Sequence, residues 1–153
     1  MYNKESLIKL DNISATRGNK TLVSNLSISI KSGEILTLTG PNGSGKTTLL
    51  RLLASFIEPA FGSLYWNHNN IKDDIFSYRN KIVYISHLDP IKNVLSVEEH
   101  LKFWSRIENN KYEPKILEFL GFEKIPEMPA NFLSAGQRRR LNLARLVLSR
   151  RPI

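Results

Sequence analysis

The sequence predicts an α/β fold, and three observations support that prediction. Runs of alternating apolar and polar residues, typical of half-buried strands, occupy residues 7–13 and 26–30. A glycine-rich segment at residues 40–48 lies between an apolar run at 35–39 and a stretch of helix-forming residues at 46–55. Helical patterns then dominate residues 96–149. We therefore expect an antiparallel β edge attached to a parallel α/β core, with a helical region in the second half.

Two further strands are predicted after the first helix. Residues 58–62 combine proline and glycine and should end that helix. Residues 63–66 then resume as a short strand. Residues 81–86 are rich in β-branched and aromatic side chains, which predicts a buried parallel strand.

The second half contains three predicted helices. Ser96 followed by Glu99 has the spacing of a capping box, so a helix should run from residue 97 to about 107. A second helix at 114–120 should end at Gly121, and a third should follow the turn at 131–137 and run to about 149.

The first of these helices has an apolar face. Val97, Leu101 and Trp104 share it, and Phe103 and Ile107 lie nearby. Packing against the domain core is the favoured interpretation of this face, and contact with a partner is the alternative.

The glycine-rich segment matches the phosphate-loop pattern G-x-x-x-x-G-K-[ST], between a predicted strand and a predicted helix. Glycines allow backbone N–H groups to turn toward a polyphosphate, and the helix N-terminus adds partial positive charge. Lys46 can reach the terminal phosphates, and the Thr47 hydroxyl can hold Mg²⁺. An ordinary glycine-rich turn is the alternative. The candidate phosphate-binding residues are Gly40, Pro41, Asn42, Gly43, Ser44, Gly45, Lys46, Thr47 and Thr48.

Composition narrows the class of protein. The 153 residues suit one domain, no run of 18 apolar residues predicts a membrane span, and the polar N-terminus does not resemble a secretory signal. The chain has no cysteine, which excludes disulfides and thiolate metal sites and suits the cytosol. Six arginines beyond Glu127, with no acidic residue among them, account for +6 of the net charge of +8. We therefore expect a local basic helix face or an interface for an acidic group, and no nucleic-acid partner.

A second motif, Leu133-Ser134-Ala135-Gly136-Gln137, lies 93 residues after Gly40 and opens a predicted helix. Together with the phosphate loop it resembles the signature motif of ABC-type ATPases. The resemblance implies a head-to-tail dimer in which Ser134, Gly136 and Gln137 meet the ATP held by the other subunit's phosphate loop. An ordinary serine-capped helix is the alternative. Arg138, Arg139 and Arg140 oppose the helix dipole, so we expect them to contact phosphate or a partner, or to remain in solvent.

The resemblance extends over nearly the whole chain. It is closest to the ATP-binding subunits of the cytochrome c biogenesis (heme exporter) transporters, and rests on Arg17-Gly18, residues 40–51, Gly62, Trp66, residues 84–87, Lys92, Leu95, Ser96, Glu99, Phe103 and residues 133–140.

This resemblance implies a P-loop NTPase fold of the ABC type, with a helical signature region at about residues 96–145. It also implies an ATPase that uses ATP and Mg²⁺, pairs with a second ATP-binding subunit and serves separate membrane subunits. Its location would be peripheral, on the cytoplasmic face of the inner membrane. An ABC ATPase of another transport process is an alternative.

Two positions depart from the family pattern. His87 stands where most ABC ATPases have a glutamine that contacts Mg²⁺ or the attacking water. Imidazole is a poor Mg²⁺ ligand, so His87 is a candidate for orienting water or contacting phosphate, with a purely positional loop role as the alternative. Arg17 stands where an aromatic residue often stacks on adenine, and its guanidinium plane could stack in the same way.

The largest departure concerns the hydrolytic groups. In the resembled family, an apolar strand ending in Asp-Glu supports Mg²⁺ and polarises the attacking water, and a later histidine contacts the γ-phosphate. This sequence contains no Asp-Glu pair. We therefore expect residues 1–153 to form a partial nucleotide-binding domain that lacks the C-terminal part of the fold and cannot hydrolyse ATP alone. A non-hydrolysing fragment or regulatory module is the corresponding alternative function.

Overall fold

The structure, a computed structural model, describes residues 7–18, 20–86 and 90–153, with Leu7 and Arg17 described by their backbone only. The chain divides into two compact units, which meet between Ile82 and Val83 along the sequence; Pro152 groups with the first unit and Ile153 with the second.

The first unit is built on a four-stranded sheet. Its elements are β1 (Leu7–Arg17), β2 (Lys20–Lys31), α1 (Lys46–Leu53), β3 (Phe61–Trp66), β4 (Asn69–Asn70) and α2 (Ile75–Arg79). The strand order is β2-β1-β3-β4, and all three pairings are antiparallel. The predicted antiparallel edge is thus present, with β1 and β2 longer than the alternating runs alone indicated.

Helices α1 and α2 are held together at their ends. The Tyr78 hydroxyl donates to the Leu53 carbonyl at 2.7 Å, and the Arg79 guanidinium donates to the Ser55 hydroxyl and carbonyl at 2.9 and 2.7 Å. Burial raises the pKa of Tyr78 well above its ordinary value. Asp74 begins α2 by accepting a hydrogen bond from the Ser77 N–H at 2.9 Å.

The second unit is helical. It contains α3 (Val97–Ile107), α4 (Lys115–Leu120), a 3₁₀ turn (Ala130–Phe132) and α5 (Ala135–Leu148). Its core includes the three predicted α3 residues Val97, Leu101 and Trp104, which confirms core packing for that face. Phe103 and Ile107, by contrast, are 53% and 59% exposed.

Local end signals place the helices of the second unit. Ser96 and Glu99 exchange the two hydrogen bonds of a capping box, at 3.1 and 2.7 Å, as the sequence predicts. Gly121 ends α4 in the left-handed conformation with φ 71°, also as predicted.

The predicted strands at residues 35–39 and 81–86 are wrong for this structure, since neither segment is part of a β-ladder. Ile35 is 92% exposed. Among the described residues no parallel strand pair is present. A strand requires a neighbouring strand for its N–H and C=O groups, so a β-forming sequence alone does not create one.

Candidate functional site

The phosphate loop lies in the first unit and has the backbone that its glycines predict. Gly40, Gly43 and Gly45 have φ angles of 142°, 82° and 93°. The Ser44 N–H turns back to the Pro41 carbonyl at 3.3 Å. Helix α1 begins directly after Gly45, which has no side chain to cap it. The first N–H groups of α1 therefore remain available to an external anion.

Gly45 is packed against the neighbouring strand. A Cβ atom placed on it would lie 2.9 Å from the Leu22 carbonyl oxygen in β2. A Cβ atom on Gly43 would meet no atom of the described ranges within 4 Å. The two glycines thus share a positive φ and differ in their surroundings.

Lys46 already lies along the loop. Its ammonium donates to the carbonyls of Gly40 and Pro41, both at 2.7 Å. These bonds hold the ammonium group beside the first residues of the loop. The predicted binding mode places a terminal phosphate of the nucleotide there.

The described residues fit a magnesium ion held largely by its nucleotide. The Thr47 side chain is exposed at the start of α1 and offers one hard oxygen ligand, and Thr48 beside it is half-buried. In the part of the chain that the structure describes, no cluster of three His, Cys, Asp or Glu side chains could hold a metal ion. Mg²⁺ commonly takes only one or two protein ligands and completes its shell with phosphate oxygens and water, so the donor set is compatible with it.

The signature motif lies in the second unit and forms another capping box. The Ser134 hydroxyl accepts from the Gln137 N–H at 3.2 Å, and the Gln137 side-chain oxygen accepts from the Ser134 N–H at 2.8 Å. Ser134 and Gly136 are exposed and Gln137 is half-buried. This arrangement fixes the N-terminus of α5 toward solvent.

Packing against the residues that the structure describes does not require a glycine at position 136. It lies inside α5, has no positive φ, and a Cβ on it would meet no atom within 4 Å. Glycine in a helix costs about 0.5–1 kcal/mol relative to alanine. The residue therefore leaves room for something outside the chain to approach the backbone.

The three arginines after the motif have different surroundings. Arg138 donates to the Ala130 carbonyl at 2.9 Å and to the Asn93 side chain at 3.0 Å. Arg140 donates to the Leu120 carbonyl at 3.0 Å, and its Cζ lies 5.4 Å from the ring centroid of Phe122. Arg139 is exposed, as one of the predicted alternatives has it.

Arg140 thereby caps the C-terminus of another helix. The Leu120 carbonyl is the last of α4, where a cation meets the negative end of that helix dipole. The unfavourable position of Arg140 in α5 is thus offset by a favourable one beside α4.

Two sequence candidates cannot be placed. His87 lies outside the described residues, and the side chain of Arg17 is likewise not described. The predictions for both remain predictions.

His100 was missed at the sequence level. It is 1% exposed, its Nε2 accepts from the Lys92 N–H at 2.9 Å, and its Nδ1 lies 2.8 Å from the Ser96 carbonyl. These partners place the proton on Nδ1, since Nε2 must accept. The signal was present, because residue 100 continues the buried spacing of Val97, Leu101 and Trp104.

Comparison with known proteins places this geometry in a family. The family model described as ABC transporter matches residues 23–153. The chain belongs to the ABC transporter family. An ABC transporter ATP-binding domain is therefore present, and the predicted fold class is confirmed.

Two curated relatives carry the same name. The chain is 37% identical over 155 residues to the cytochrome c biogenesis ATP-binding export protein CcmA of Paramagnetospirillum magneticum, covering 97% of the chain and 71% of that protein. It is 39% identical over 144 residues to the CcmA of Nitrosococcus oceani, covering 94% and 67%. The predicted resemblance is thereby confirmed. Across such relatives the chain spans between 62% and 73% of their length.

Solved structures agree with this ABC assignment. A putative ABC transporter ATP-binding protein from Pyrococcus furiosus superposes with a TM-score of 0.81 at 25% identity, covering 94% of this chain and 71% of that one. The ADP conformation of an ATP-binding cassette of an ABC transporter gives a TM-score of 0.73 at 25% identity, covering 94% and 65%. In the described ranges, no helix has the length and apolar character needed to cross a bilayer.

Proposed function

We propose that this chain is the ATP-binding subunit of an ABC-type exporter, of the kind that serves cytochrome c biogenesis and exports heme. Its phosphate loop binds the phosphates of ATP through backbone N–H groups and Lys46. Thr47 supplies the protein ligand to Mg²⁺, which neutralises phosphate charge when bound. The CcmA relatives and the loop geometry support this proposal.

The α5 N-terminus acts on ATP held by a second subunit. The observation that carries this step is Gly136, where a Cβ would meet no atom of the described residues within 4 Å, so the helix backbone is open there. Ser134 and Gln137 hold that helix end in place through their capping box. A γ-phosphate would then meet exposed N–H groups and the positive end of the dipole.

The membrane subunits are separate chains in this proposal. They dock near His87, which lies outside the described residues, and against the outer face of α3, where Phe103 and Ile107 are one turn apart and more than half exposed. Exposed aromatic and aliphatic side chains on one helix face suit a protein interface. The subunit would therefore lie peripherally, at the cytoplasmic face of the inner membrane.

Photocrosslinking of ATP tests the binding role. We expect Lys46→Ala to lose at least about tenfold in labelling at subsaturating ATP, because charge-assisted hydrogen bonds are worth about 1.5–3 kcal/mol. Lys20→Ala removes the same charge from an exposed position in β2 and should label normally. Equal labelling of Lys46→Ala and the unsubstituted chain would refute the assigned role.

We also propose that this chain turns ATP over slowly by itself. The sequence has no Asp-Glu pair that could polarise the attacking water. Residues 35–55, which include the phosphate loop, contain no aspartate or glutamate that could replace it. Steady-state phosphate release should stay near background for the purified chain and rise when an intact related subunit is added. Robust release by the chain alone would contradict this proposal.

A further inference from the structure

The segment before the signature motif is joined to the segment before α3. The Ala130 N–H donates to the Leu95 carbonyl at 3.0 Å, and the Asn131 N–H donates to the Asn93 carbonyl at 3.1 Å. Two more backbone bonds join the same two segments: the Val97 N–H donates to the Met128 carbonyl at 3.1 Å, and the Glu98 N–H donates to the Pro126 carbonyl at 2.9 Å. We call these four bonds the seam. The seam stops at Asn131, three residues before the helix cap.

Arg138 continues this seam from the other side. It lies one turn into α5, and one guanidinium nitrogen, Nη1, donates to both the Asn93 side chain and the Ala130 carbonyl. Asn93 is therefore attached twice, through its backbone carbonyl to Asn131 and through its side-chain oxygen to Arg138. The 3₁₀ turn Ala130–Phe132, which leads to Ser134, lies between these two attachments.

We propose that Arg138 and Asn93 form a latch that positions the signature end of α5 for the second subunit's ATP. This inference rests on the proposed function. Arg138 is a positioning residue, because its guanidinium is directed back to the segment before α5, where it donates to the Asn93 side chain and to the Ala130 carbonyl. Arg138 also joins that helix end to residues 90–95, the segment that follows His87.

Arg139 provides a matched control. It is the next residue of the same helix and carries the same charge, and within the described ranges its exposed side chain makes neither a hydrogen bond nor an ion pair. Arg138→Gln and Arg139→Gln therefore remove equal charge, and only the first removes the latch. Asn93→Ala removes the latch while it leaves the arginine and its bond to Ala130.

The experiment separates two readouts on the full chain. Binding of a fluorescent ATP analogue reports the chain's own phosphate loop, which lies in the other unit. Sedimentation equilibrium with Mg²⁺ and ATP reports ATP-dependent association of two copies, which needs the signature. We expect Arg138→Gln and Asn93→Ala to lower the association constant about tenfold each, since a hydrogen bond to a charged group is lost, and to leave analogue binding unchanged.

The double variant decides whether the two residues act together. A latch predicts that Arg138→Gln with Asn93→Ala associates no more weakly than Arg138→Gln alone. Additive losses, or equal association of Arg138→Gln and Arg139→Gln, would overturn the proposal. If thermal unfolding shows that Arg138→Gln does not fold, Asn93→Ala alone decides, and its normal association overturns the latch. An unsubstituted chain that binds no ATP would instead refute the proposed function itself.

Discussion

Substituting alanine at two glycines of the phosphate loop separates backbone strain from packing. Gly43 and Gly45 have φ angles of 82° and 93°, so alanine is strained at both. Only at Gly45 would the new Cβ meet an atom, the Leu22 carbonyl oxygen at 2.9 Å. That contact is with backbone in β2, which cannot rotate away as a side chain can.

The expected losses of stability follow from backbone strain, from crowding and from the entropy of the unfolded chain. A positive φ costs an L-residue about 1–2 kcal/mol. Crowding against the strand adds about 1–3 kcal/mol more at Gly45. Alanine also reduces the entropy of the unfolded chain, by about 0.4–1 kcal/mol at either site. We therefore expect Gly45→Ala to lower the free energy of unfolding by about 1–3 kcal/mol more than Gly43→Ala.

Urea unfolding of the first unit measures this difference. The chain has two tryptophans, and Trp66 lies in the first unit while Trp104 lies in the second. In a Trp104→Phe background the fluorescence of Trp66 reports the unit that contains the loop. Binding of an ATP analogue should weaken in Gly45→Ala as well, because the displaced residue begins α1. An equal or smaller loss of stability in Gly45→Ala than in Gly43→Ala would refute the packing argument.

Two further predictions concern buried polar groups. His100→Leu leaves the Lys92 N–H without a partner and removes the Nδ1 contact to the Ser96 carbonyl, which still accepts the backbone N–H of residue 100. We therefore expect a loss of about 1–3 kcal/mol in urea unfolding followed by Trp104 fluorescence. His68→Asn, at an exposed position, should unfold normally, and a stable His100→Leu chain would contradict the bonding assigned to His100. Tyr78 has a raised pKa in the folded chain, so its stabilisation is present below about pH 10, the unfolded value, and is lost as pH rises above it. Tyr78→Phe should therefore show a shallower fall in melting temperature between about pH 10 and 11 than the unsubstituted chain, and parallel curves would count against the assignment.

Helices were predictable from this sequence because their end signals are local. Ser96 with Glu99 places the start of α3, and Gly121 places the end of α4, within a few residues of chain. The conformation of residues 35–39 and 81–86 could not be predicted in the same way, because a strand depends on hydrogen bonds to residues far away in sequence. Helix α2 was missed although Asp74 supplies an N-cap, since five residues are too few to show a helical period.

In the candidate site, too, contiguous motifs could be predicted from the sequence and contacts between distant residues could not. The phosphate loop could be read from the sequence because its glycines, Lys46 and Thr47 are contiguous. The bonds of Arg138 to Asn93 and of Arg140 to Leu120 span 45 and 20 residues, and no sequence pattern indicates them. From the sequence, the three arginines were expected to contact phosphate or a partner, or to remain in solvent, whereas two of them bind carbonyls of their own chain.

The two capping boxes of the second unit share a hydrogen-bond pattern and differ by one charge. Glu99 closes the first with a carboxylate. A negative side chain at the positive end of a helix dipole stabilises the helix by about 0.3–1 kcal/mol. Gln137 closes the second with a neutral amide, and the first turn of α5 contains no acidic residue. The start of α5 is thus held by the same pair of hydrogen bonds as the start of α3. No carboxylate in its first turn, however, balances the positive end of its helix dipole. The first turn of α3 also contains Glu98, so two carboxylates of the chain lie at the positive end of that helix, whereas the first turn of α5 has none and its positive end is open to an external anion.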